Sequence, residues 1–160
     1  MYSFVIWIDA DSCPLLVRNY VIDCAKSKSM NVSFVANREI PFPKDNPLFK
    51  MCITEKKTGS ADDFIFENAK GADVVITRDI VFAARLVEKK ICVMNDRGTI
   101  FTKDNIKERL LERNFYLNMA ELGFGSNDNR YGQKELKKFE TTFEKVTAQL
   151  RVNETFSRKK

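Results

Sequence analysis

Two carboxylates separated by one residue close an apolar run near the start of the chain, Val5-Ile6-Trp7-Ile8-Asp9-Ala10-Asp11. Left unpaired, two such anions repel each other and resist desolvation. A divalent cation, a basic partner or a shared proton is the natural compensation. More acids stand where other elements end or begin: Asp62, Asp79 and Asp96. Hard cations favour carboxylate and water oxygens, so a set of this kind fits Mg2+- or Mn2+-assisted phosphoryl transfer, one metal polarising the phosphate and a second activating water. The plain alternative is that each Asp caps a helix or ends a strand.

Composition removes competing chemistries. The chain has no histidine, which excludes His-based triads, HExxH zinc sites and imidazole acid–base catalysis. Cys13, Cys24, Cys52 and Cys92 form no CxxC pair. Cys52 and Cys92 lie in apolar runs and read as core. With no signal segment and no apolar run near the ~18 residues of a membrane span, the chain is expected to be soluble and cytoplasmic, with reduced thiols and no membrane partner. Its 160 residues fit one domain. The net charge of +5 is uneven: residues 1–129 carry 18 basic and 18 acidic side chains, and residues 130–160 carry 9 and 4. A basic end beside an acidic pocket suits a polyanionic substrate gripped by its phosphates, although a solvated helix face reads the same way.

The elements that must position these acids alternate. Val5 to Asp9 reads as a strand, and Pro14 stands at the first position of an amphipathic helix over 15–28, whose N-terminus favours ionised Asp9 and Asp11. A strand over 32–36 runs into the proline-rich loop 37–47, predicted to overhang a sheet edge. A short strand over 50–54 and a turn at 56–59 precede a helix to about Ala69, with Ser60 as N-cap and Asp63 in a capping-box position. Val74 to Thr77 is a buried strand ending at Arg78-Asp79. A helix over 81–88 and a strand over 91–94 come next, the latter ending at Asn95-Asp96-Arg97-Gly98. This order predicts an α/β fold with a mostly parallel sheet, whose strand ends share one edge. Thr102 caps a helix over 103–116, and residues 123–132 read as a loop. The last helix repeats Leu136, Phe139, Phe143, Val146 and Leu150 at three- and four-residue spacing. That stripe spans only about two heptads, short of a coiled-coil signature, so docking on the core is expected. Residues 151–160 are predicted to be a basic, disordered tail after a domain over 1–150. Trp7 and the phenylalanines, in apolar context, read as core.

Trp7-Ile8-Asp9-Ala10-Asp11-Ser12-Cys13-Pro14, Val35-Ala36-Asn37, Ala61-Asp62-Asp63, Val75 to Ile80 and Asn95-Asp96-Arg97-Gly98 closely resemble the motifs of the YaiI/YqxD family, small bacterial proteins of uncharacterised function with a PIN-like domain. The resemblance runs from about Val5 to Leu150. It implies a three-layer α/β/α fold with C-terminal helices. The wider PIN ribonucleases offer a looser match: their first-strand aspartate is similar to Asp9, the acid of their AD-x-x-I helix to Asp62, and that of T-x-D to Asp79. In active members these positions bind divalent metal. Asp96 is the nearest counterpart of the fourth PIN acid, with Asn95 as a neutral ligand. Asp11 and Asp63 fit the YaiI/YqxD pattern.

The carboxylate set and the resemblance together imply a metal-dependent nuclease acting on RNA. Asp9, Asp62 and Asp79 hold Mg2+ or Mn2+ with Asp96, Asp11 supports the metal or orients water, and Asn37, Arg38, Arg78 and Arg97 contact substrate. Ser12, Asp63 and Asn95 support or cap. Each arginine could equally neutralise a neighbouring Asp. Two alternatives remain: a haloacid dehalogenase-type phosphatase with Asp9 as nucleophile and Asp11 as acid–base, and a non-catalytic module that binds nucleic acid or protein.

Overall fold

A computed structural model describes residues 2–123 and 130–158. Five strands, β1 (Val5–Asp9), β2 (Asn31–Ala36), β3 (Phe49–Ile53), β4 (Val74–Ile76) and β5 (Cys92–Met94), form one sheet in the order β3-β2-β1-β4-β5. Every strand pair is parallel, with Ile8 opposite Phe34 on one side and Ile76 on the other. Helices α1 (Leu15–Lys28), α2 (Ser60–Asn68) and α3 (Ile80–Glu88) are interleaved with the strands, and α4 (Ile106–Glu121) and α5 (Gln133–Arg158) complete the chain. β1 is central because its residues are apolar on both sides, as a strand covered by helices on both faces requires.

Period two along the strands sorts the core into two layers. Ile6 and Ile8 pack with Val17, Val21 and Ala25 of α1 and with Leu136, Phe139, Phe143 and Val146 of α5. Trp7 points the other way, among Ile65 of α2 and Phe82 and Leu86 of α3. The result is the three-layer α/β/α arrangement that the alternating pattern predicts. Asp9 shares the parity of Trp7 and therefore faces the α2/α3 layer.

The last helix docks on the core through its predicted stripe, Tyr20 of α1 meeting Phe139 and Phe143 edge-on at 6.1 and 6.0 Å. The proline-rich loop is anchored, with Ile40 buried and Phe42 5.8 Å from the Phe34 ring. Several expectations are corrected. Helix α5 continues through Arg158 where a disordered tail from 151 was expected; Glu154 ties it down by accepting from Ser3 N at 2.7 Å, Ser3 Oγ at 2.6 Å and Phe4 N at 3.0 Å. Pro14 is the N-cap of α1 and not its first helical residue. Gly59, in the left-handed region, caps α2 in place of Ser60, and Asp63 reaches Arg85 of α3 at 3.1 Å and makes no capping box. Asn105 and not Thr102 stands at the N-cap of α4; Thr102 pairs reciprocally with it across a turn that delays the helix to Ile106. Cys52 and Cys92 are only partly buried. Of the loop predicted over 123–132, residues 124–129 lie outside the described residues, as do 159 and 160 of the tail. Among the described residues no helix is long and apolar enough to cross a membrane.

Gly98 packs directly against the backbone of α5. Its φ is +81°, a Cβ there would stand 2.4 Å from the Lys138 carbonyl oxygen, and its own carbonyl accepts from Thr142 Oγ1 at 2.7 Å. Gly98→Ala is expected to lower stability by about 2 kcal/mol or more, read as a reduced midpoint in urea; an unchanged midpoint would show that α5 yields at no cost.

Candidate active site

In a parallel sheet of this order the chain leaves β1 toward β2 on one side, and β4 lies on the other, so the crevice beyond the carboxyl ends of β1 and β4 is the switch point where ligands bind in open α/β sheets. A cleft of about 920 Å³ lies there. Its floor carries Asp9 from the end of β1, Asp62 from the first turn of α2 and Asp79 at the start of α3, with Asp11 and Ser12 beside them. Asn37 and Arg38 follow β2, Lys56 and Lys57 follow β3, and Arg78 and Arg113 close the rim.

Asp9 is 6 % exposed. Its Oδ2 accepts from Thr77 Oγ1 at 2.9 Å and from Ser12 Oγ at 3.4 Å. Thr77 Oγ1 also accepts from Asp79 N at 3.1 Å, so one hydroxyl links two of the acids. Burial raises the Asp9 pKa; the Thr77 hydroxyl opposes the rise, the Asp11 charge adds to it, the Ser12 hydroxyl opposes it and the Asp79 charge adds to it. The helix N-terminus expected to keep Asp9 ionised is outweighed by this desolvation. Asp79 Oδ1 accepts from Phe82 N at 3.1 Å and so caps α3. That cap starts the helix at Ile80, one residue before the predicted start. Burial pushes the half-buried Asp62 carboxyl up to about 7, the Asp9 and Asp79 charges and a hydrogen bond shared with Asp79 add to this, and Arg85 opposes it. Asp11 is exposed and accepts from Asn37 N at 3.3 Å.

Asp96 is not brought to this floor. It is buried and ion-paired with Arg78, and it lines the neighbouring groove together with Asn95 and Arg97. Asn95 Oδ1 accepts from Arg97 N and Thr99 N, both at 2.9 Å, and so shapes the turn after β5. Arg97 stands 3.9 Å from Glu135. The Cys13 thiol is pushed up to about 12, by burial first and then by the Asp96 charge, which removes it as a nucleophile. Sequence reasoning missed Thr77, Lys56, Lys57 and Arg113. Thr77 had a signal, the T-x-D spacing, whereas the three basic residues come from one loop and a distant helix and had none.

The family whose model matches residues 7–149 is described as the uncharacterised YaiI/YqxD family. The chain belongs to the YaiI/YqxD family. It is 42 % identical over 144 residues to a UPF0178 protein of Treponema denticola, covering 89 % of this chain and 91 % of the relative. A UPF0178 protein of Treponema pallidum is 38 % identical over 91 % of this chain and 82 % of its own length, and one of Psychromonas ingrahamii is 38 % identical over 84 % and 89 %. No solved structure matches. The motifs that resemble this family, from Trp7 to Pro14 and around Asp62, Asp79 and Asp96, all fall inside the matched span.

Among the described residues no three His, Cys, Asp or Glu side chains are already gathered closely enough to hold an ion. The donor chemistry of the floor nevertheless fits a hard cation: the groups it offers are carboxylate oxygens, and burial, with their mutual repulsion added to it, already raises the Asp9 and Asp62 pKa values. The raised Asp62 value has a direct consequence for stability. The folded protein keeps a proton that the unfolded chain loses above about pH 4. The stability linked to it is full below that pH and is lost as pH rises through about 7. Without added metal, the wild-type Tm is expected to fall across that window, and Asp62→Asn is expected to reduce the fall and melt several degrees higher at pH 8. A variant that melts below wild type at pH 8 would contradict the cost of burying a charged Asp62 among these acids.

Proposed function

We propose that the protein is a divalent-metal-dependent nuclease acting on RNA. The reading is supported by one cleft that joins an acidic floor, Asp9, Asp62 and Asp79, to a basic rim, Arg38, Lys56, Lys57, Arg78 and Arg113. An acidic floor alone would repel a phosphodiester. A basic rim alone would bind one without activating it.

Asp9, Asp62 and Asp79 are the residues to hold Mg2+ or Mn2+. The bound ion supplies charge stabilisation for the phosphodiester and a more acidic water. Thr77 fixes the Asp9 carboxylate and the start of α3 with one hydroxyl, so that two of the ligands keep their spacing. Asp11, exposed and accepting from Asn37 N, is the residue to orient an attacking water and accept its proton. The rim cations hold the phosphates on either side of the cut. Arg78 is fixed by Asp96, while Arg38 and Arg113 make no ion pair among the described residues and are left for substrate. The phosphatase alternative draws less support, because Asp9 as nucleophile would attack from a buried position with Oδ2 already bonded to two hydroxyls.

Calorimetry with Mn2+ and cleavage of a labelled single-stranded RNA test the reading together. Wild type is expected to bind Mn2+ and cut, and Asp9→Asn, Asp62→Asn and Asp79→Asn each to lose about 10- to 100-fold or more in both. Mn2+ affinity is expected to rise with pH up to about 7, as Asp62 gives up its proton. RNA binding that is salt-sensitive but indifferent to metal, with no cleavage, would replace the nuclease with a binding module.

A further inference from the structure

Arg78 and Arg113 belong to the rim of the cleft, yet both also line a second groove of about 630 Å³ that continues from it across α4. Along α4, Arg109, Arg113, Tyr116 and Ala120 fall at i, i+4, i+7 and i+11, which is one helical stripe, and all four line this groove. At 1.5 Å per residue the stripe is about 16 Å long. Only Ile106 of α4 is fully buried, so the helix gives most of its surface to solvent and not to the core.

The chemistry of the stripe is that of a single-stranded nucleic-acid track. Tyr116 is 59 % exposed, a large aromatic face on the surface, and its ring is braced edge-on by Phe115 at 5.8 Å. Four arginines, Arg78, Arg97, Arg109 and Arg113, line the groove against two acids, Asp96 and Glu112. Asp96 is already paired with Arg78. The Arg109–Glu112 pair, at 3.7 Å and about half-exposed on both sides, is of the weak surface kind that a phosphate displaces. Interleaved guanidinium groups and an aromatic face, continuous with a phosphate-binding cleft, match backbone tracking with base stacking, which every unpaired base can use and a closed duplex cannot.

We propose that this groove is a second nucleic-acid site, which carries an unpaired RNA strand away from the cleft with phosphates on Arg109 and Arg113 and a base stacked on Tyr116. It rests on the nuclease reading of the cleft and adds the substrate class: single-stranded RNA long enough to span both. At 3.4 Å per stacked nucleotide, the stripe accommodates about four to five nucleotides beyond the cleft.

The test is fluorescence anisotropy on the full chain with labelled oligouridylates of 4 and 12 nucleotides, in EDTA so that the strand stays intact, beside a separate Mn2+ cleavage assay. Wild type is expected to bind the 12-mer about tenfold more tightly than the 4-mer. Tyr116→Ala and Arg109→Ala are each expected to remove most of that gain, Arg109→Ala with a salt dependence shallower by about one phosphate contact, while Tyr116→Phe keeps the gain. Unchanged thermal melting of these surface variants separates loss of the track from loss of the fold. A length gain that survives both alanine variants overturns the assignment. So does a 12-base-pair RNA duplex that binds as tightly as the single strand. Cleavage in Mn2+ without any length gain overturns the groove and leaves the nuclease standing, whereas a length gain without cleavage keeps the groove and removes the nuclease.

Discussion

Asp9 is a carboxylate removed from water at the end of the central strand, and the hydrogen bonds that compensate it come from two neutral hydroxyls, Thr77 at 2.9 Å and Ser12 at 3.4 Å. Desolvating such a group costs several kcal/mol unless strong donors or an opposite charge offset it. Two hydroxyls offset part of this, and the Asp11 and Asp79 charges work against them. The surrounding geometry follows from that unresolved charge. Parity places Asp9 on the α2/α3 side, Thr77 ties it to the start of α3, and Asp62 arrives from α2 with its own carboxyl raised.

Other acids show that the fold can supply a carboxylate with strong donors or an opposite charge. Asp73, at the opposite edge of the sheet, accepts from Val5 N at 2.8 Å, Lys70 N at 2.9 Å and the Trp7 indole at 3.0 Å. Glu154 accepts two backbone N–H groups and a hydroxyl and stands 3.0 Å from Arg158. Asp96 has the Arg78 guanidinium. These three do structural work and have donors to match. Asp9 and Asp62 do not, and Asp62 shares a hydrogen bond with another acid, Asp79. That contrast within one small domain is the argument for a functional charge cluster, because carboxylates that merely end strands would show the donor pattern of Asp73.

Local signals were sufficient for whatever depended on local chemistry. The apolar run ending in D-x-D placed β1 and its edge, and the strand ending at Asp79 placed the second acid, because strand burial and strand termination are written in adjacent residues. The spacing of Leu136, Phe139, Phe143 and Val146 likewise told that α5 docks on the core. What depended on distant partners was not legible. Nothing near Asp96 distinguishes a metal ligand from the partner of Arg78, since the pairing is made by two loops that meet only in the folded sheet. Residues 151–158 carry a weak apolar pattern, and their helix is held instead by Glu154 reaching back to Ser3 and Phe4, about 150 residues away in the chain. Lys56, Lys57 and Arg113 looked like ordinary surface charge until the fold set them around one cleft.

The Arg78–Asp96 pair decides how cleft and groove relate. Arg78 lies on the wall common to both, and Asp96 is only 3 % exposed, so the guanidinium is pinned from beneath by a group that solvent screens poorly. Held by Asp96, Arg78 keeps its charge on that shared wall, while the cation that acts on the Asp62 carboxyl is Arg85 from α3. Tyr131 reinforces the arrangement, its hydroxyl donating to the Asp96 carbonyl at 2.5 Å. An acid that the sequence offered as a fourth metal ligand thus acts through its basic partner: it fixes a rim cation on the wall between cleft and groove, and the floor is left to Asp9, Asp62 and Asp79.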